Sequence, residues 1–291
     1  MYPSRLRYEA PRSLEEACRL LSDGGGDAKI LAGGQSLVPM LKLRFASPEM
    51  LVDINELPDL GYQTRDADGT IRIGALCRHA DLERSSLLAQ HQPTMMAAAP
   101  LVADPVVRNR GTLVGSLCHA DPQGDWASVM MALDASVVAH SNRGNRTIAM
   151  KDLVSGPFQN TLAIDEVAIE AVVPAPQGVA AGGYLKLERR VGDFATAGVA
   201  VAVDRVGSNV VRAGIGLTGV GGSTISADEA ADLLVGGPLT AEAIGEAAEL
   251  AARAAHPHSD HRGSADYKRH LVRVFTRRLL TGLMTSEEEA A

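Results

Sequence analysis

Aromatic side chains are scarce: one tryptophan, five tyrosines and four phenylalanines in 291 residues. A sizeable core must therefore be built from Val, Leu, Ile and Ala, and the 46% hydrophobic content is enough to build it. Cysteine is scarcer still. Cys18, Cys77 and Cys118 stand far apart and form no C-x-x-C pair, which argues against a zinc or iron–sulfur site within the chain. A sparse, odd set fits a reducing compartment. No apolar run is long enough to span a bilayer, and MYPSRLRYEAPRSLEEA lacks the apolar centre of a secretory signal. The expected location is cytoplasmic, with any membrane association made through a partner. Positive charge is in deficit as well. Lys and Arg number 28 against 35 Asp and Glu, a net charge of -7 that disfavours nucleic acid as a partner.

What the chain does have is two glycine turns. Leu31–Leu37 reads LAGGQSL, with apolar residues on both sides, as a buried strand would have on running into a tight turn. Gly33 and Gly34 lack Cβ atoms and reach positive φ, so a ligand can approach the backbone closely. Successive N–H groups in such a turn form an anion nest, and Gln35 and Ser36 add side-chain donors. The second stretch, Asn109–Asp125, reads NRGTLVGSLCHADPQGD, with Gly111, Gly115 and Ser116 as its small-residue turn. Neither turn has the dinucleotide fingerprint or the P-loop spacing, and neither contains Lys or Arg. Two such turns, far apart in sequence, can hold one elongated phosphate-bearing ligand from two sides, chiefly by backbone N–H groups and hydroxyls. Lys42 and Arg44 could neutralise phosphate charge or form a solvated face.

Around these turns the elements read as follows. Ser13 caps a helix with Glu16 at its third position. Strands at Leu6–Tyr8, Ala28–Ala32 and Met50–Ile54, with a short helix at Leu37–Arg44, make a small α/β unit up to about Pro58. A second unit starts near Leu60, with a strand at Thr70–Ala75, helices at Cys77–Leu82, Leu87–Met96 and Trp126–Leu133, and a hairpin through Asn142–Asn145. Phe158–Glu166 is expected as a turn and Glu166–Val173 as a strand. Pro174–Gly178 marks a boundary. Strands at Gly182–Leu187, Ala197–Val203 and Val210–Leu217 precede helices at Asp228–Leu234, Ala241–Ala254 and Asp266–Leu283, the grouping of an α+β domain. The tail Ser286–Glu289 is expected to fray.

With AGGQSL followed by Met40-Leu41-Lys42-Leu43-Arg44, and then GTLVGSLCHADPQGD, the chain resembles the FAD-binding medium subunits of molybdenum hydroxylases, the aerobic carbon monoxide dehydrogenase and xanthine dehydrogenase type. Tyr184-x-Lys186-x-x-Arg189-Arg190-x-x-Asp193-Phe194-Ala195 and Ser259-Asp260-x-Arg262-Gly263-Ser264-x-x-Tyr267-Lys268-Arg269 extend the likeness to the C-terminal half. The resemblance implies a two-part FAD-binding domain of the vanillyl-alcohol-oxidase-like type at 1–175 (parts 1–58 and 59–175) and an α+β domain at 179–285 that closes over the flavin. It implies FAD on Ala32, Gly33, Gly34, Gln35, Ser36, Leu37, Gly111, Thr112, Val114, Gly115 and Ser116, with Asp125 accepting from the ligand's hydroxyl end and Lys186 beside the isoalloxazine. It implies partners carrying the molybdenum cofactor (a large subunit) and two [2Fe-2S] clusters (a small subunit), usually as a dimer of heterotrimers that delivers electrons to an external acceptor. Substrate chemistry would occur at molybdenum, so this chain has no catalytic acid or base.

Bland readings stand beside these. Asp125 also reads as the N-cap of a helix at Trp126, Lys186 as an exposed strand lysine, and Phe194, which stands where relatives have an aromatic near the flavin, as core packing. His79, His119, His140, His256 and His258 show no metal-ligand spacing, and Ser36 and Ser116 have no histidine partner in a hydrolase order. Val114 stands where relatives carry a second glycine. A β-branched residue resists positive φ, so this loop is expected to shift or to bind more loosely. Two alternatives remain open: a stand-alone FAD oxidoreductase, and a nucleotide-binding module without redox activity.

Overall fold

The computed structural model describes residues 2–288. Its first unit is a parallel sheet. β1 (Arg7–Glu9), α1 (Leu14–Asp23), β2 (Ala28–Leu31), α2 (Leu37–Leu43) and β3 (Met50–Asp53) follow in order, and the strands align β1-β3-β2. Ser13 caps α1 by accepting from the Glu16 N–H at 3.2 Å. Ala17, Cys18, Leu20 and Leu21 then bury against Val52 and Ile54. The Ala32–Ser36 loop leaves the carboxyl end of this parallel sheet, where α/β folds place their ligands.

The second unit is antiparallel. β4 (Gln63–Arg65) and β5 (Ile71–Gly74) lead into short helices: α3 (His79–Glu83), α4 (Ser86–His91), α5 (Pro93–Ala98), α6 (Pro105–Arg108), α7 (Leu113–His119) and α8 (Asp125–Ala132). Then come β6 (Ser136–Ser141), β7 (Gly144–Ala149), a helical turn α9 (Met150–Leu153), β8 (Val154–Gly156), β9 (Gln159–Asn160) and β10 (Val167–Val173). The main sheet runs β4-β5-β10-β6-β7. β8 and β9 pair with each other, so the expected turn after Phe158 is the end of a small hairpin.

The last sheet is β11 (Val179–Leu187), β12 (Ala197–Val206), β13 (Asn209–Thr218) and β14 (Ile225–Ser226), all antiparallel. α10 (Asp228–Asp232), α11 (Ala241–Ala254) and α12 (Ala265–Glu288) follow. The architecture is α+β, as expected. α12 continues to Glu288, through most of the tail expected to fray; Glu289 lies outside the described residues. Among the described residues no helix is long and apolar enough to cross a membrane.

Alternation explains how the last sheet is covered on both faces. In β12, Val199, Val201 and Val203 face the core shared with α11 and α12, while Ala200 and Ala202 join the core of the preceding unit. The small side is needed because α8 lies against the sheet backbone. A Cβ on Gly214 would stand 2.0 Å from the Ala132 carbonyl oxygen, and one on Gly216 2.0 Å from that of Ser128. The run Gly214-Ile215-Gly216-Leu217-Thr218-Gly219 has dinucleotide-fingerprint spacing, yet it is strand, and its first two glycines serve this close approach.

Candidate functional site

The two glycine stretches meet. A Cβ on Gly33 would lie 2.4 Å from the Arg110 carbonyl oxygen and 2.7 Å from the Gly111 Cα. Gly34 takes φ +72°, the left-handed conformation that glycine adopts at little cost. Gln35 folds back so that its Nε2 donates to the Gly33 carbonyl at 3.1 Å, bracing the loop. Ser36 sits at the N-cap of α2 without a side-chain cap bond, and Leu37 begins that helix. Among the described residues, the N–H groups of Gly33, Gly34, Gln35 and Ser36 have no protein acceptor.

The second stretch is turn only as far as Thr112. Thr112 caps α7, its Oγ1 accepting from the Gly115 N–H at 3.1 Å, and Leu113, Val114, Gly115 and Ser116 are helical. Val114 has no positive φ and buries its side chain in the core. The expected strain at Val114 is therefore absent, because a helical position accepts a β-branched residue. Gly115 is small for a different reason: a Cβ there would approach Thr112 Oγ1 to 2.6 Å. What meets the first loop is the Arg110 carbonyl and Gly111, just ahead of the first turn of a helix, whose N–H groups carry partial positive charge.

Three residues distant in sequence hold the seam. Asn55 Nδ2 donates to the Ala32 carbonyl at 2.8 Å and to Asp53 Oδ1 at 2.6 Å. Arg78 reaches both sides, with Nη2 on Asn55 Oδ1 at 2.6 Å and Nη1 on the Arg110 carbonyl at 2.7 Å. The His79 N–H donates to the Gly111 carbonyl at 2.9 Å, and the His79 Nδ1 accepts from Trp126 Nε1 at 3.0 Å. Periodicity carries no trace of these contacts, although His79 closes the run Ile73-Gly74-Ala75-Leu76-Cys77-Arg78-His79 that leads from β5 into α3.

Burial, with Arg108 and Arg78 nearby, pushes the His79 imidazole down to about 4. A free imidazole titrates at about 6.5, so below that pH the unfolded chain takes up a proton that the folded protein refuses. His79 therefore gives its full stabilisation above about pH 6.5 and loses about 3 kcal/mol as the pH falls towards 4. In denaturant unfolding at pH 7 and pH 4.5, His79→Gln should narrow the stability gap between the two. An equal gap in both proteins would show that another group governs the acid limb.

A second cluster joins α8 to the last sheet. Asp125 is the first residue of α8 and not its cap; Gly124 occupies the cap position. The carboxylate instead turns inward, accepting from the Tyr184 hydroxyl at 2.6 Å and from Lys186 Nζ at 3.2 Å. Burial pushes the Asp125 carboxyl up, and Lys186 draws it back. Burial also raises the Tyr184 hydroxyl well above its usual range. Lys186 is no exposed strand lysine. Its side chain is 1% exposed, and its ammonium also meets Glu188 Oε2 at 3.2 Å and the Asp193 carbonyl at 3.0 Å. Arg262 fixes the same loop through the Asp193 carboxylate and the Phe194 carbonyl. Phe194 is 49% exposed, so it is not core packing.

Lys42 and Arg44 are solvent-exposed. No group of His, Cys, Asp and Glu among the described residues could hold a metal ion. The two clusters connect through a continuous path: Gly111 touches His79, His79 accepts from Trp126, and Trp126 follows Asp125.

Residues 4–176 match the family model for the FAD binding domain in molybdopterin dehydrogenase, and residues 183–283 that for the CO dehydrogenase flavoprotein C-terminal domain. The chain is 40% identical to the carbon monoxide dehydrogenase medium chain of Hydrogenophaga pseudoflava, over 96% of this chain and 97% of that one. It is also 40% identical to the 6-hydroxypseudooxynicotine dehydrogenase complex subunit alpha of Paenarthrobacter nicotinovorans, over 96% and 95%. A solved structure of the Hydrogenophaga pseudoflava carbon monoxide dehydrogenase superimposes with a TM-score of 0.92 over 97% of this chain and 98% of that one, at 40% identity.

Proposed function

Because the chain belongs to the family of FAD-binding medium subunits of molybdenum hydroxylases, we propose that it is the FAD-carrying electron-transfer subunit of such a complex. The observation that carries this reading is the seam at Gly33 and Gly111, where the two loops approach so closely that a Cβ on Gly33 would clash with the Arg110 and Gly111 backbone. The Gly33–Ser36 loop, with its unpartnered N–H groups, meets the second stretch at Arg110 and Gly111, just ahead of the first turn of α7. That is a donor set suited to the pyrophosphate of FAD. When bound, FAD would supply the redox chemistry, relaying electrons between the [2Fe-2S] clusters of a small subunit and an external acceptor.

The chain's own residues bind and orient. Ala32–Leu37 hold the pyrophosphate by backbone N–H groups and the Ser36 hydroxyl, and Gly111–Ser116 form the opposing wall, where the Gly111, Gly115 and Ser116 N–H groups are already bonded to Val107 and Thr112. Asp125 and Lys186 lock the last sheet against α8 beside the flavin end. The reading divides the chain into 1–58 and 59–175, which form the two walls of the groove, and 179–285, which closes over it. Substrate is transformed in a large subunit holding the molybdenum cofactor, and two heterotrimers form the working assembly.

A visible absorption spectrum of the purified chain, followed by heat release and mass analysis, tests the central point. Flavin bands near one FAD per chain are expected. If the protein is colourless and added FAD produces neither a spectral shift nor thermal stabilisation, the reading fails.

A further inference from the structure

We propose that Arg78 is itself a phosphate-binding residue, donating from the seam between the two loops to the pyrophosphate of FAD; this rests on the reading above. No basic residue stands inside either glycine loop, and the fold supplies one from the start of α3. A guanidinium has five N–H donors. Arg78 spends one on Asn55 Oδ1 and one on the Arg110 carbonyl. Among the described residues the other three have no acceptor, and no carboxylate lies within ion-pair distance of it.

Charge distinguishes this from a purely structural tie. Bracing two loops needs donors, which a neutral amide provides equally well. Arg78 is instead a part-buried cation whose basicity is lowered first by burial and then by a second cation, Arg110, with Asp81 and Asp53, beyond ion-pair distance, offsetting this only in part. Two like charges brought together without a directly paired counter-ion repel. An anion between them removes that repulsion, and a guanidinium fork matches two phosphate oxygens. Gly33 lies against the same Arg110 carbonyl that Arg78 binds, so the free donors of Arg78 and of the first loop are neighbours.

The test titrates the full chain, stripped of flavin, with FAD and separately with ADP, which has the pyrophosphate but no flavin. Each titration is run at several salt concentrations. Arg78→Gln is expected to weaken both ligands by roughly ten- to a hundredfold, the usual range for a lost charged hydrogen bond, and to flatten the salt dependence. Arg78→Lys should keep most of the salt dependence, and it carries the test alone if the glutamine variant does not fold. Unchanged affinities overturn the proposal. So does weakening with an unaltered salt dependence, which would make Arg78 only a tie between the loops. Failure of the unaltered chain to bind FAD appears before any variant is made, and it removes the functional reading along with this one.

Discussion

Gly33→Ala will purify without FAD. The added methyl would sit 2.4 Å from the Arg110 carbonyl oxygen and 2.7 Å from the Gly111 Cα. Both are backbone atoms, so neither can swing aside as a side chain would. The two loops must separate, breaking the spacing that Arg78 and Asn55 set. Overpacking of this kind costs about 1–3 kcal/mol, and the fold tolerates it because the loop lies beyond the end of β2. Binding loses more, since every contact across the groove shifts together; a rise in Kd of about a hundredfold corresponds to about 2.7 kcal/mol. Gly34→Ala is the control. Its strain is conformational, about 1–2 kcal/mol for an L-residue in the left-handed region, and its near neighbours are the Leu31 and Val38 side chains, which can yield. The flavin-to-protein ratio and the melting temperature of each variant decide the matter. A yellow Gly33→Ala protein with unaltered FAD affinity would show that the seam is not where the ligand lies.

The sequence made the first loop legible because all its determinants are local: a strand, two glycines, a polar pair and a helix. The second loop was half legible. Thr112-Leu113-Val114-Gly115-Ser116 has the composition of a turn, but Leu113, Val114 and Leu117 have helical spacing and are all buried. The threonine that begins the segment is a cap, and this removes the objection to Val114. Asp125 and Lys186 were legible only through the family resemblance, and the partnerships that fasten the site were not legible. Asn55 and Arg78 are 23 residues apart, and Asp125 and Tyr184 are 59 apart. Each looks like an ordinary polar residue until the units are packed. The alternation of Val and Ala in β12 was visible, yet what the small face accommodates appears only once α8 is laid on it. The substrate is not written here at all. Relatives at the same 40% identity are a carbon monoxide dehydrogenase subunit and a 6-hydroxypseudooxynicotine dehydrogenase subunit. That is expected if this chain handles electrons and not substrate.

Asp125→Ala should be the most destabilising single change at the junction of α8 and the last sheet. It leaves the Tyr184 hydroxyl buried without its acceptor and takes one of two carboxylates from an ammonium that is 1% exposed. Breaking a buried ion pair on one side typically costs about 3–5 kcal/mol. Glu188 and the Asp193 carbonyl still hold Lys186, so the lower end applies, a fall in melting temperature of roughly 5–10 °C. Asp125→Asn separates charge from hydrogen bonding. The amide keeps an acceptor for Tyr184, and Lys186 retains Glu188 as its counter-ion, so its cost should be about 1–2 kcal/mol. Tyr184→Phe completes a cycle. If the hydroxyl and the carboxylate act as one unit, Asp125→Ala and Tyr184→Phe together will cost less than their sum by at least about 1 kcal/mol. FAD affinity should fall with Asp125→Ala in the full chain, because the last sheet is no longer fixed against α8 beside the groove. Strict additivity, or a loss of stability with FAD affinity untouched, would confine the cluster to holding the fold and separate it from the cofactor.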